Sequence, residues 1–305
     1  MTFQVSDNTK IGFIGNGFVG NATSKIFEGF KTVTWDIVPE KCSIIEYEDG
    51  ISRIAELRDI AQCDFIFIAV PTPMKENGSI STTILAKAIL NITNECDQAG
   101  TRPFFIIKST VIPGTTKSFA SALEHHTFIF NPEFLVEKTA IKNALAPDRI
   151  VLGGTASACA NVWKLYKKAA KINRKFRYHD EVPLVFCDTT TAEFIKYMSN
   201  CFFATKVSFM NEMHEAAKVL NVDWHDAQAG ILADNRFGRS HYKVPGPDGH
   251  HGFGGKCFPK DLNAFKFLLE SEGMNPLLLN AAWDANCKYR DVEDWYNIDG
   301  ATEKG

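Results

Sequence analysis

The stretch KIGFIGNGFVGNATSKIF sets the tightest limit on what this chain can fold into. An apolar run, residues 10 to 14, leads directly into GNGFVG and then into apolar residues at helical spacing. In that context a GxGxxG motif is a strand, a tight turn and a helix built to receive a diphosphate. Gly15 permits the turn, Gly17 lets the diphosphate approach the backbone, and Gly20 lets the helix pack closely on its sheet. The free N–H groups and positive dipole end of the helix face the phosphates. A second strand, KTVTWD, ends in Asp36, about twenty residues on, where an acidic ribose ligand belongs. Asp36 favours NAD, because a carboxylate accepts from both ribose hydroxyls and repels a 2′-phosphate. Lys41 and Arg53 follow and soften that repulsion. The cofactor candidates here are Gly15, Gly17, Phe18, Val19, Gly20, Asp36 and Lys41. The competing reading is a glycine turn in an unrelated α/β protein.

Further apolar runs follow at α/β spacing: FIFIAV (65 to 70), FFIIKS (104 to 109), TFIF (127 to 130) and RIVLGG (149 to 154), with helical stretches between them. This alternation predicts a Rossmann-like, doubly wound, mostly parallel sheet. Ligands of such sheets bind beyond the carboxyl ends of the strands. The loops VPTP (70 to 73), STVIPGT (109 to 115) and NPEFLVE (131 to 137) therefore ring the expected site. They add Pro71, Thr72, Ser109 and Thr110 to the cofactor candidates and Phe134 and Leu135 to the substrate candidates. Each loop alone is also compatible with ordinary turn chemistry.

The chain has 305 residues, enough for two domains, with an ordinary balance of 45% hydrophobic and 23% charged residues. Its net charge of −3 gives no reason to expect nucleic acid or an acidic membrane as partner. MTFQVSDNTK lacks the apolar core of a signal peptide, and no apolar run is long enough to span a bilayer. The 8 cysteines are scattered, without a CxxC pair, which suits a reducing cytosol and a cytoplasmic protein.

Residues 190 to 220 form the longest helical pattern. Thr189 to Thr191 offer capping hydroxyls and Glu193 suits the first turn. The first half of this helix is apolar nearly all round, interrupted by Lys196 and Asn200 on one face. They are either residues of a solvated strip or fixed donors aimed at a developing negative oxygen. The octapeptide GGKCFPKD, 254 to 261, sets Cys257 among Lys256, Lys260 and Asp261. Nearby positive charge favours the nucleophilic thiolate; the alternative is a loop cysteine without a role. His241, His250 and His251 precede it, but their spacing with Cys257 matches no common metal site, so no metal is expected. A glycine-rich basic loop that wraps an anionic substrate suits the stretch better.

GNGFVG, VPTP, STVIPGT, NPEFLVE, AEFIKYMSN, DNRFG and GFGGKCFPKD stand in the order found in the nucleotide-sugar (UDP-glucose/GDP-mannose) 6-dehydrogenases, and from about Lys10 to about Asn286 the chain resembles that family. The resemblance implies two oxidations of a sugar's C6 hydroxyl by NAD, UDP-glucose to UDP-glucuronate being the expected reaction. Cys257 corresponds to the nucleophile that captures the aldehyde and passes through a thioester to the acid. Lys196 and Asn200 match the residues that steady the oxyanion. Asp261 and Thr110 match those that hold the hydrolytic or proton-transfer water. Glu133 and Glu137 match two acidic positions, with Glu137 the better general base for the thioester step. Phe134, Leu135, Lys196, Gly254 and Gly255 fall at substrate-binding positions, and Arg236 resembles an arginine that a neighbouring subunit sends to the substrate. A homodimer is implied.

The expected organisation is an NAD-binding Rossmann-like domain (1–188), a helical central and dimerisation domain carrying the cysteine loop (189–297) and a polar tail (298–305). Lys138 stands where the family often has glycine. Ser79 or Ser81 replaces a usual aspartate after VPTP, and the family's second α/β domain has no counterpart here. Two other readings stay open: a weakly active or inactive nucleotide-sugar and NAD binding protein, and a β-hydroxyacid or 6-phosphogluconate type dehydrogenase. The thiol loop counts against the last, since a single two-electron oxidation needs no thiol.

Overall fold

Each apolar run named above becomes a strand, because a run of four or five apolar residues between turn signals satisfies its backbone best inside a sheet covered on both faces. A computed structural model describes residues 3–46, 51–178 and 182–303. They fall into two compact units: residues 1–72 with 82–196, and residues 73–81 with 197–305.

In chain order the first unit holds β1 (Lys10–Ile14), α1 (Phe18–Ser24), β2 (Lys31–Trp35), β3 (Ile44–Glu46), β4 (Ser52–Ile54), α2 (Leu57–Ile60), β5 (Phe65–Ile68), α3 (Thr83–Ala99), β6 (Phe104–Ile107), α4 (Thr115–Ala122), β7 (Thr127–Phe130), α5 (Ala140–Leu145), β8 (Ile150–Gly153), α6 (Ala156–Ile172) and β9 (Leu184–Cys187). Seven strands make one sheet in the order β2-β1-β5-β6-β7-β8-β9, with β3 and β4 a separate antiparallel pair. Every pairing in the large sheet is parallel except β7 with β8. Strand alternation divides the core in two. Phe13, Phe65, Phe67, Ile129 and Leu152 join one cluster, while Ile14, Ile66, Ile68, Phe130 and Val151 join the other.

α7 (Thr189–Val219) begins in the first unit and continues into the second. Its start differs from the sequence expectation. Asp188, not the threonines, receives the first orphan donors, accepting from Thr191 N at 2.9 Å and Thr191 Oγ1 at 2.7 Å. Glu193 lies one turn too deep to complement its own helix. It is fully buried and accepts from Gly114 N (2.6 Å) and Thr116 N (2.8 Å), so it caps α4 instead.

The second unit contains the rest of α7, then α8 (Trp224–Leu232), α9 (Phe258–Ser271) and α10 (Leu277–Tyr289). Tyr197 stacks on Phe265 at 5.4 Å, and Ser208 Oγ donates to the carbonyl of Ala282 at 2.7 Å. Residues expected as a polar tail are tied in: Met74 N donates to Ala301 O at 2.8 Å, and Met74, Trp295 and Ala301 share a small core with Trp283 and Ile298. Among the described residues no helix is long and apolar enough to cross a membrane.

Candidate functional site

In the first unit the glycine turn has the geometry its sequence predicts. Gly15 adopts φ +89°, and a Cβ there would lie 2.7 Å from the carbonyl oxygen of Ala69. Gly17, the residue before α1, has nothing within 4 Å of a built Cβ, so its backbone is open to a ligand. Asp36 follows β2, accepting from Asn16 N at 2.6 Å and Val38 N at 2.9 Å, which fixes the carboxylate beside the turn. Lys41 contributes its carbonyl, to Asn16 Nδ2 at 2.8 Å. These residues fit a dinucleotide: an open backbone beside a tight turn, and a fixed carboxylate for a ribose. Arg53 differs from expectation. Its guanidinium grips Asp59 through two 2.7 Å bonds, holding the Asp59 carboxyl below its ordinary range, and so is committed away from a 2′-phosphate.

The loops after β5 and β6 are laced together. Thr72 Oγ1 donates to Thr110 O (2.8 Å) and Ser109 Oγ to Val70 O (2.7 Å). Pro71 is exposed beside them and the Thr110 side chain is half-buried. After β7, the NPEF segment carries Glu133 into a buried ion pair with Lys196 at 2.8 Å. Burial alone would raise the Glu133 carboxyl, but the Lys196 charge and hydrogen bond, the Leu135 N–H at 2.7 Å and Lys108 hold it below the ordinary value. Phe134 lies 5.6 Å from Lys196 Nζ and stacks against the Arg149 guanidinium at 3.6 Å. Glu137, by contrast, is exposed at the start of a short 3₁₀ turn and takes no part in this pair.

Sequence reasoning did not single out Lys108. Its ammonium is buried and donates to Asn131 O (3.2 Å) and Asn131 Oδ1 (3.0 Å), while Tyr166 OH donates to the same Oδ1 at 2.7 Å. Burial lowers its pKa to about 8; Glu133 opposes this and Lys196 adds to it. Lys108, Asn131, Glu133 and Tyr166 line a small pocket of about 60 Å³. The lysine that follows the apolar run FFII was the available signal.

In the second unit Cys257 is the N-cap of α9, half-buried at the positive end of a 14-residue helix. Negative charge on a side chain is stabilised there. Asp261 sits one turn on, its N–H bonded to the Cys257 carbonyl at 2.8 Å. Its buried carboxylate receives Asn200 Nδ2 on one oxygen and Lys260 Nζ on the other. Lys196 and Asn200, one turn apart on α7, are thus claimed by different acids, Glu133 and Asp261. Cys63, Cys96, Cys159 and Cys201 are buried, and burial pushes each thiol up.

Before Cys257, Gly255 adopts φ +74°, and a Cβ on Gly254 would overlap Arg290 and Asp294. His250 pairs with Asp291 at 3.1 Å, His251 with Asn211 at 3.0 Å, and His241 stacks on Phe203. Among the described residues no group of three or more His, Cys, Asp or Glu is arranged to hold a metal. Arg236, in the turn after α8, pairs with Asp234 at 2.6 Å and leaves its side chain 91% exposed.

Residues 51–170 match the NAD binding domain of the UDP-glucose/GDP-mannose dehydrogenase family, and residues 190–288 match its central domain. A UDP-glucose 6-dehydrogenase of Rickettsia prowazekii is 34% identical over 73% of this chain and 49% of its own length. One from Haloferax volcanii is 30% identical over 91% of this chain and 69% of the relative. The chain therefore spans about half of the first relative's length. A UDP-glucose dehydrogenase structure from Pyrobaculum islandicum superposes with a TM-score of 0.74 at 29% identity, covering 92% of this chain and 68% of that one. A 3-hydroxyisobutyrate dehydrogenase from Mycobacterium tuberculosis, at 17% identity and a TM-score of 0.66, covers 94% of this chain and 96% of its own, and shares the fold alone.

Proposed function

Given that the chain belongs to the UDP-glucose/GDP-mannose dehydrogenase family, we propose that it oxidises the C6 hydroxyl of a nucleotide sugar to a carboxylate in two steps, with UDP-glucose the first substrate to test. The observation that carries this reading is Cys257 at the head of α9, one turn before an aspartate that gathers Asn200 and Lys260. NAD, held by the Gly15–Gly20 turn and Asp36, supplies a hydride acceptor, used twice per sugar.

The chain's own residues account for the rest. After the first oxidation the Cys257 sulfur adds to the C6 aldehyde, and the carbonyl oxygen takes a proton to give a thiohemiacetal. Loss of hydride from C6 and of the hydroxyl proton gives a thioester. Water adds to that carbonyl, the C–S bond breaks, and the carboxylate leaves with the thiol restored. Lys196 and Asn200 are the donors for the negative oxygen in these steps. Asp261 and Thr110 hold the hydrolytic or proton-transfer water, and Glu137 serves as base for the thioester step. Glu133 keeps the Lys196 ammonium charged and in place.

A homodimer through α7 is part of the proposal. Met198, Phe202 and Phe209 are each more than half exposed and lie on one stripe of that helix. The exposed Arg236 then serves a neighbouring site. NADH yield per sugar, measured over UDP-, GDP- and ADP-linked sugars, tests the chemistry. Two NADH per sugar in the wild type, with none in steady turnover for Cys257→Ser, is expected. One NADH per sugar indicates a simple hydroxyl oxidation, and none a binding protein.

A further inference from the structure

The loop that delivers Cys257 is held both by residues inside the stretch matched by the family and by residues beyond it. Asn286 brackets Phe253, accepting from its N–H at 2.7 Å and donating to its carbonyl at 3.0 Å. Asn211 Oδ1 accepts from Gly252 N at 3.1 Å. Both positions lie within the matched residues 190–288. Beyond them, Arg290 is 7% exposed and reaches several points at once. Its Nη2 donates to Asp248 Oδ2 (2.9 Å) and Asp294 Oδ1 (2.8 Å), and its Nη1 to His251 O (3.2 Å). The second oxygen of Asp294 accepts from Gly255 N at 2.9 Å, two residues before the thiol. Lys256 Nζ donates to Asp299 O at 2.8 Å. The segment is itself fixed, since Trp295 is 2% exposed in the core it shares with Met74 and Ala301.

We infer that Arg290 and Asp294 are positioning residues for Cys257: one guanidinium bridges Asp248 at the start of the loop to Asp294, and Asp294 pins the Gly255 amide so that the thiol sits at the head of α9. Gly254 is required for this, because any side chain there would displace the bridge. Nη2 alone serves both carboxylates, while Nη1 and Nε hold the His251 and Val292 carbonyls, and the single nitrogen of a lysine cannot reach all four partners. The Gly255 contact is a charge-assisted bond to the backbone amide of a glycine at φ +74°, a residue type whose backbone is otherwise free to adopt many conformations.

This inference rests on the reading of Cys257 as the nucleophile, and its test is chosen to be separable from that reading. Alkylation of Cys257 by iodoacetamide is followed by peptide mass spectrometry between pH 6 and 10, with the exposed Cys287 as internal reference. In Asp294→Ala, alkylation of Cys257 at neutral pH falls about tenfold, the scale of one lost charge-assisted hydrogen bond, and its pH midpoint rises, while Cys287 is unchanged. Asp294→Asn, which still accepts from Gly255, returns most of the wild-type profile. Arg290→Lys, which conserves charge but cannot keep the carbonyl contacts made by Nη1 and Nε, shifts the profile part way and serves as the second variant if Asp294→Ala does not fold. A wild-type Cys257 profile in Asp294→Ala or Arg290→Lys, with only a lower melting temperature, would overturn the inference. Turnover by Cys257→Ala would remove the catalytic reading, yet the alkylation profiles would still decide whether these two residues place the thiol.

Discussion

Replacing Lys196 by methionine leaves Glu133 buried without its principal counter-charge. Both side chains are about 5% exposed or less, with 2.8 Å between nitrogen and oxygen. Removing one member of such a pair costs about 3–5 kcal/mol, because the remaining charge is stranded away from water. Two groups keep the cost near the lower end. The Leu135 amide still donates to Glu133, and Lys108 still carries charge nearby. A loss of about 3 kcal/mol corresponds to about 6–12 °C in melting temperature for a body of this size. The pH dependence follows from the signs. In the wild type the Glu133 pKa is depressed, so its stabilisation is present above the unfolded carboxylate value and is lost as pH falls through the folded one. In Lys196→Met, burial dominates and the carboxyl pKa rises, so the variant approaches the wild type as pH falls from 8 to 5. The paired change Glu133→Gln with Lys196→Met removes both charges and recovers most of the loss. Urea titrations of the three proteins at several pH values measure this. A single variant within about 1 kcal/mol of wild type at pH 8, no better when Glu133 is also changed, would refute a buried ion pair.

Three further outcomes are expected. The Lys108 pKa is lowered from 10.5 to about 8, so the native state sheds that proton first and stability rises with pH between about 8 and 10.5; Lys108→Met should lack this rise, worth about 3 kcal/mol, in chemical denaturation at pH 7 and 10. Asp36→Ala should narrow the preference for NAD over NADP in calorimetric titrations, whereas Arg53→Ala should leave it unchanged, because Arg53 is held by Asp59; a changed preference in Arg53→Ala would place that guanidinium on the cofactor. Phe202→Glu should lower the mass measured by light scattering from dimer to monomer, and an unaltered dimer would move the interface off this face of α7.

Much of the sheet was legible in the sequence because buried parallel strands are short apolar runs between turn signals, as in FIFI and TFIF. β9 escaped notice because LVFC is partly exposed and lacks that contrast with its surroundings. The misjudged polar residues share one cause. Glu193 was assigned to the helix that carries it, yet its partners lie 77 and 79 residues away. Arg53 was read against Asp36 when Asp59 was the acid in reach. Lys108 looked like the end of a strand, and only the fold brings Asn131 and Tyr166 to it. Hydrophobic periodicity reports a residue's own element, whereas a charged side chain is paired by topology. The surroundings of Cys257 were readable because the helix it precedes, Lys260 and Asp261 are all local in sequence.

The bridge between Met74 and Thr302 has a consequence for synthesis. Residues 73–81 emerge early but belong to a unit whose remaining residues begin at 197. At about 5–20 residues per second, the 228 residues after Met74 up to and including Thr302 take about 10 to 45 s to be made. Through that interval the apolar Met74 has no Trp295 or Ala301 to pack on, even when every strand of the large sheet has been released. The second unit is therefore assembled at the pace of translation, and slow codons or pauses late in the message would prolong the time that this short hairpin waits.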